Sequence, residues 1–360
     1  MGRKKQQAKS DLSFELSLMM VPLDFLEYSV NISCVAYMFS LKPKTLHYWY
    51  NEHLSGYRQD VKTKRWGEKK ITVADKTTGE VLKEIPVPIA KQENFGSHMT
   101  IDEKQIGKKM YTIMTNAQTG KIALLAQTMK PEELRQAAEI YLSEKLNEVK
   151  SVSCDMSPSY KIFCKKIFPN TQMVIDKFHV VKHLMDALQQ VRKQLKSQCI
   201  NSENTIPSSN DKDQGKIWTD VELLERSRYI LFKMASDWEE DETEIMSKLF
   251  TKYPILQTAY ELTRKLRLWY NGRNIGKHIN ILEKELYNWC DEVNQSKIPA
   301  FRAVKKMIEK HQDGIINYFK KEQTNAKAEN MNGKIQRFLA NNFGIKDRDF
   351  FLYRVAGCFS

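Results

Sequence analysis

Three acidic residues stand where apolar neighbours make an acid unexpected. Asp102 interrupts a short strand-like run, with Met99 and Ile101 before it and Glu103 after it. Asp155 closes a second run, Val152-Ser153-Cys154, and Met156-Ser157-Pro158 then opens a helix. An acid at the carboxyl end of a sheet strand is well placed for a ligand site. Glu329 falls in the helix predicted for TNAKAENMNGKIQRFL, in which Ala328, Met331, Ile335, Phe338 and Leu339 make the buried stripe. Asn325, Glu329, Asn332 and Gln336 form a polar stripe along its edge. Three carboxylates brought together repel one another unless a cation neutralises them, so the cluster implies bound metal. Ligands that are all oxygen favour Mg²⁺ or Mn²⁺ over zinc. Two such ions about 3.5–4 Å apart can activate a water or a 3′-hydroxyl and stabilise the leaving oxygen of an in-line phosphodiester displacement. Any one of these acids alone reads more readily as a helix cap or a surface acid; the combination carries the chemistry.

The elements that must position the acids can be read from periodicity. From Ser97 the pattern is that of strands, HMTIDEK, KKMYTIMTN and KIALLAQTM, with a turn at Asn116 to Gly120, which predicts an antiparallel meander. A helix from Pro131 to about Val149 follows, opened by proline and by Glu132 and Glu133 near the positive end of its dipole. Then come a strand SVSCD, a helix from Pro158 to Ile167, a strand QMVID, and a long helix whose Val181, Leu184, Leu188, Val191 and Leu195 share one face. This order predicts a mixed sheet covered by helices. Residues 201–215, NSENTIPSSNDKDQG, read as a polar surface loop, and the chain beyond is helical to about Lys321. Trp218, Trp238, Trp269 and Trp289 fall there and read chiefly as packing residues, with base stacking a minor alternative.

Charge and length bound the rest. The 360 residues exceed what one core needs, and the net charge of +13 attracts polyanions, of which nucleic acid is the commonest. No stretch is long and apolar enough to span a bilayer. The six cysteines form no CxxC pair, which fits reduced thiols in a cytosolic protein and gives no zinc spacing. The first ten residues read as a flexible basic arm. Between Ser29 and Leu54, apolar residues at Val35, Met38 and Phe39 and then at Leu46, Trp49 and Tyr50 predict two short helices joined by a tight turn. Pro43 suits the first turn of the second helix, whose start carries Lys42, Lys44, Thr45, His47 and Tyr48, the residue types that a DNA-reading helix presents to a major groove. A plain helical hairpin with a solvated basic face fits the same pattern. The stretch from Asp60 to Asn94 reads as a connector, basic at first and extended around Pro86 and Pro88.

HMTIDE, CDMSPSYK, FPNTQMVIDKFHVVKHLMDAL and TNAKAENMNGKIQRFL with FGIKDRDFFLYRV together resemble, in order and spacing, the catalytic domain of bacterial insertion-sequence transposases of the ISL-three family. The resemblance covers residues 97–355. It implies an RNase H-like fold whose two Asp and one Glu fall on Asp102, Asp155 and Glu329, with an all-helical insertion within the 174-position separation of the last two. It also implies a supporting role for Asp176, His179 and Asn325, a DNA transposase working with Mg²⁺ or Mn²⁺ on the terminal repeats of its element and on target DNA, and a homo-oligomer that brings two ends together. One departure is plain. Family members commonly carry a Cys-rich zinc module near the N-terminus, and here only Cys34 precedes Asp102, which leaves the two-helix motif as the candidate end-recognition module.

The expected organisation is therefore a basic arm at 1–20, a helix-turn-helix module at 21–70, a linker at 71–95, a catalytic domain at 96–198 and 318–360, and a helical insertion at 199–317. Two other functions fit parts of the pattern. A transposase-derived DNA-binding protein would have no reason to retain all three acids. A metal-dependent nuclease without strand transfer would retain them, and only joined products separate it from a transposase.

Overall fold

The computed structural model describes residues 32–38, 40–75, 77–168, 170–203, 218–320, 326–341 and 347–360; the side chains at 144, 202, 203, 326–330 and 332 lie outside the description. The expected basic arm, the surface loop at 201–215 for the most part, Phe39 and Asn325 therefore fall outside it as well. The chain divides into two compact units, one made of residues up to Met173 and from Thr324 onward, the other of Val174–Gln323.

The first unit begins with α1 (Ile32–Met38) and α2 (Pro43–Trp49), with four residues of chain between them. Ser40 takes the left-handed conformation (φ 54°), and Leu41 N–H returns to the Ala36 carbonyl at 2.8 Å, which closes α1 without a glycine. Pro43 sits in the first turn of α2, as its missing N–H allows. Ile32, Val35, Ala36, Leu46 and Tyr50 are buried around Tyr57, on α3 (Tyr57–Lys62), and Phe350. Met38, expected on the inner stripe, is 70% exposed, because the apolar stripe runs through Ile32, Val35 and Ala36.

The stretch read as a linker is folded. β1 (Lys70–Ala74) and β2 (Val81–Pro86) form an antiparallel hairpin, followed by β3 (Ile89–Ala90). Alternation buries Ile71, Ile85 and Val87, so this stretch contributes to the core. A six-stranded sheet follows, in the order β3, β6 (Ile122–Ala126), β5 (Lys109–Asn116), β4 (His98–Ile106), β7 (Ser151–Cys154), β8 (Gln172–Ile175). β4, β5 and β6 are the predicted antiparallel meander, and β7 lies parallel to β4. Between β6 and β7, α4 (Pro131–Leu142) ends earlier than expected and gives way to a 3₁₀ turn at Ser143–Glu148. α5 (Pro158–Ile167) follows β7 with the predicted bounds.

Each face of the sheet has its own core. Met99, Ile101, Val152 and Cys154 pack with Leu134, Ala138, Tyr160 and Phe163 of α4 and α5. The hairpin rests on α4: Tyr141 Oη donates to the Lys70 carbonyl at 2.8 Å, and Lys83 Nζ lies 2.7 Å from the Glu133 carboxylate.

The second unit, entered at Val174 within β8, is helical, with α6 (Lys177–Glu203), α7 (Asp220–Ile230), α8 (Glu240–Lys252), α9 (Pro254–Trp269), α10 (Ile279–Ser296), α11 (Pro299–Lys310) and α12 (Gln312–Asn317). Leu184, Leu188, Val191 and Leu195 of α6 are buried as their spacing predicts. Thr219 and Glu222 form a capping box at the start of α7. The tryptophans pack: Trp269 and Trp289 are buried, and the Trp289 indole donates to the Leu262 carbonyl at 2.8 Å. Trp218 lies under the Arg226 guanidinium, 3.5 Å from its ring centre.

The chain returns to the first unit with α13 (Ala326–Asn341) and α14 (Arg348–Phe359). Met331, Ile335 and Phe338 of α13 and Phe351, Leu352 and Val355 of α14 pack on the other sheet face, against Ile106, Tyr111, Ile113, Ile122 and Leu125. α14 also joins the N-terminal helices to the sheet, since Phe350 enters their core and Tyr353 Oη donates to Asp60 Oδ2 at 2.8 Å, with the Ser55 carbonyl at 3.1 Å. Gly56 is required beside this contact: its φ is 76°, and a Cβ there would meet the Tyr353 hydroxyl at 3.3 Å. No boundary therefore separates the N-terminal helices from the sheet. Among the described residues, no helix is long and apolar enough to cross a membrane.

Candidate active site

The parallel pairing of β4 and β7 sets the position of two of the acids. Its register is His98 with Ser151, Met99 with Val152 and Thr100 with Ser153. Continued by two residues, the same register brings Asp102 level with Asp155. Neighbouring strands lie about 4.8 Å apart, so the two backbones meet the site side by side. Alternation then fixes the face. Met99 and Ile101 belong to the core under α4 and α5, so Asp102 projects to the other face with Ile106. Val152 and Cys154 likewise face α4 and α5, and Asp155 follows the last residue of β7, in the turn that leads into α5.

Both carboxylates are half-buried and oriented by backbone donors. Asp102 Oδ1 accepts the Glu103 N–H at 2.7 Å, and Asp155 Oδ1 accepts the Ser157 N–H at 2.8 Å, an Asx turn that leads into α5. An all-oxygen pair held this way can bind a hard divalent cation. The face onto which Asp102 projects is the one covered by α13, the helix that contains Glu329. The Glu329 side chain lies outside the described residues. Gln336, from the polar stripe expected on that helix, is exposed, while Met331, Ile335 and Phe338 are buried as predicted.

The remaining expected residues stand on other elements. Asp176 and His179 belong to the helical unit. Asp176 Oδ1 accepts the Phe178 N–H at 2.9 Å, and His179 Nε2 is 3.8 Å from Asp176 Oδ2, an ion-pair distance too long for a hydrogen bond. In the N-terminal helices Lys42, Lys44 and Tyr48 are exposed, whereas His47 turns its ring edge-on to Phe350, 6.0 Å between centres. His47 therefore contributes to packing within the protein.

Two neighbours of the acids were not singled out by sequence. Lys104 shares a strand face with Asp102; burial lowers its pKa, and the Asp102 charge offsets part of that effect. Its spacing of two from Asp102 was the available signal. Tyr160, in the first turn of α5, is fully buried, and burial together with the charges of Glu103, Asp155 and Asp102 raises its pKa well above the ordinary phenol value, against a smaller lowering by the Thr112 hydroxyl. In the sequence it is one more apolar-face aromatic of a helix.

A mixed sheet covered by helices defines the class: an α/β protein. Comparison with known proteins is specific about the family. The family model of the ISL-three type, described as a transposase, matches residues 99–355. The chain belongs to this family of insertion-sequence transposases. It is also similar to a transposase for insertion sequence element IS1001 from Bordetella parapertussis, 22% identical over 214 residues that make up 59% of this chain and 48% of that protein. The chain thus spans about half the length of this curated relative.

Proposed function

We propose that this chain is a DNA transposase that cleaves the ends of an insertion sequence and transfers the strands, with Asp102, Asp155 and Glu329 as its catalytic acids in an RNase H-like fold. The observation that carries the reading is the parallel pairing of β4 with β7, whose register, continued two residues past Thr100 and Ser153, sets Asp102 opposite Asp155. The donor set fits Mg²⁺ or Mn²⁺: the ligands are carboxylate oxygens, half-buried and so within reach of solvent, each oriented by a backbone N–H. Bound there, two divalent ions supply activation of the attacking hydroxyl or water and neutralise charge on the leaving oxygen.

The chain's own groups supply the remainder. The two Asp side chains fix where the reacting phosphodiester must lie, and the backbone donors keep both carboxylates aimed without rearrangement. Lys104, on the same face as Asp102, adds a cation within reach of a DNA phosphate. Lys42, Lys44, Thr45 and Tyr48 at the start of α2 act as the DNA-recognition surface for the terminal repeats, and Asp176, His179 and Asn325 support the site. The named activity of the IS1001 relative and the family match both favour transposition over simple nuclease action.

The test is incubation of purified protein with duplex DNA bearing the ends of its own element, in Mg²⁺, Mn²⁺ or EDTA, following cut and joined strands. Metal-dependent cutting with joined product is expected. Cutting without joining would make it a nuclease, and binding without either would make it a transposase-derived DNA-binding protein.

A further inference from the structure

A cavity of about 480 Å³ lies in the sheet-bearing unit where α14 meets the N-terminal helices, and Tyr50, Trp66 and Tyr353 form part of its wall. Its size is that of a small-molecule site, about 300–1,000 Å³. Trp66 and Tyr353 are only half-buried and meet edge to face, ring centres 5.2 Å apart, so ring surface remains for a ligand. The charged groups of the wall are Lys91, Arg354 and Asp60, two cations to one acid. Asp60 is already engaged, since its Oδ2 accepts the Tyr353 hydroxyl at 2.8 Å. Arg354 is 6% exposed, its guanidinium over the Tyr50 ring at 5.4 Å and the Phe338 ring at 4.7 Å. Stability alone does not call for a guanidinium at such a place, because an apolar side chain of similar volume serves the core as well. The turn after α3 is basic and fixed by backbone bonds. Lys64 takes the left-handed conformation (φ 59°) that glycine ordinarily supplies. The Arg65 and Trp66 N–H groups both return to the Asp60 carbonyl, at 2.8 and 3.1 Å, which carries Trp66 to the cavity wall and leaves Lys62, Lys64 and Arg65 exposed.

We propose that this cavity binds a single nucleotide, its unpaired base against the Tyr50, Trp66 and Tyr353 rings and its phosphate at Lys91 and Arg354. The wall selects this chemistry. Aromatic rings stack on the flat face of any base, and ammonium and guanidinium groups bind phosphate. Inorganic phosphate would leave the rings unused, and an apolar ligand would strip water from the cations without compensation. The exposed cations of the turn suit a sugar–phosphate chain that continues beyond the bound nucleotide, which makes a DNA strand the source favoured over a free mononucleotide. The choice of DNA rests on the reading of the chain as a transposase; the cavity itself does not depend on the three acids.

Cys358 also lines the cavity and is partly exposed, so its alkylation reports occupancy. The experiment is iodoacetamide labelling of the full chain, with modification at Cys358 followed by peptide mass spectrometry. The probes are a short single-stranded DNA oligonucleotide, a strand of the same length without bases, and deoxyadenosine monophosphate. The intact oligonucleotide is expected to slow labelling, and the abasic strand to need a concentration about 5–150-fold higher for the same protection, the loss of one base stacked on an aromatic side chain. Protection by the oligonucleotide and not by the mononucleotide assigns the site to a DNA strand; equal protection by the mononucleotide assigns it to the free nucleotide. Gly357 lines the cavity, and a Cβ there would meet nothing within 4 Å, so Gly357→Phe is expected to keep the melting temperature and to make labelling insensitive to DNA. Lys91→Ala should raise the half-protecting concentration about tenfold or more. Labelling that none of the probes slows, or that the abasic strand slows at the same concentration as the intact one, overturns the inference. Cutting and joining at the element ends are read separately, and Asp155→Asn should keep the protection, so either reading can fail without the other.

Discussion

The two compact units distribute charge differently. The sheet-bearing unit has 32 Lys and Arg against 22 Asp and Glu, the helical unit 25 against 22, so most of the net positive charge lies with the unit that contains the three acids. In the helical unit acids and bases largely pair on the surface, as in Lys265 with Glu292 and Lys248 with Glu244. Such exposed pairs contribute little to stability, and the unit is held by buried Leu, Trp and Tyr side chains. The sheet-bearing unit has surface pairs of the same kind, as in Arg135 with Glu132 and Lys70 with Glu84, and beside them the half-buried Asp102 and Asp155.

That contrast can be broken first at the acids. Asp155→Asn preserves shape and removes one charge, so strand cleavage should fall by at least about 10²–10³-fold while the thermal transition stays in place. Asp102→Asn should match it, and the double variant should be little worse than either single one, because the residues act as a unit. Additive losses in a cleavage time course would show that the two acids work separately.

The helical unit should respond in the opposite sense. Trp289→Ala removes a 5%-exposed indole and its hydrogen bond to Leu262, and is expected to cost about 3–5 kcal/mol. Hydrogen exchange should then quicken in α9 and α10. Exchange quickened equally in β4 and β5 would deny the helical unit a core of its own.

Glu133 tests a structural acid within the sheet-bearing unit. Burial raises its pKa, and Lys83 and the Thr128 hydroxyl outweigh that effect and hold it below the ordinary 4.5. A depressed folded pKa contributes stability that is present above 4.5 and lost as pH falls through the folded value. Glu133→Gln should therefore cost about 1.5–3 kcal/mol at neutral pH and progressively less below pH 4.5. Denaturant titrations showing the same cost at pH 7 and pH 3 would remove the ion pair with Lys83 from the account.

The smallest effect belongs to Lys44, exposed at the start of α2. Lys44→Ala should flatten the salt dependence of DNA binding by about one counterion. An unchanged slope takes Lys44 out of the interface.

Much of this was legible in the sequence for local reasons. Pro158 and the alternation through Met99 and Ile101 marked their elements, and the stripe through Met331, Ile335 and Phe338 marked the buried face of α13. The register that aligns Asp102 with Asp155 was not legible, because parallel pairing joins residues 53 positions apart through backbone bonds that leave no local trace. The hairpin of β1 and β2 could have been read from ITV and VLKEI around a Thr77-Thr78-Gly79 turn, but Pro86 and Pro88 drew attention to extension and away from pairing. The burial of Phe350 among the N-terminal helices was beyond reach, since nothing near residue 350 points to residue 46.

The central claim is that Asp102 and Asp155 together hold a divalent cation on the sheet face under α13. A crystal of the protein grown with Mn²⁺ and measured at the manganese absorption edge tests it most directly. An anomalous peak within coordination distance of both carboxylates is the predicted result, and ordered Asp102 and Asp155 side chains in a crystal whose manganese lies elsewhere would contradict it.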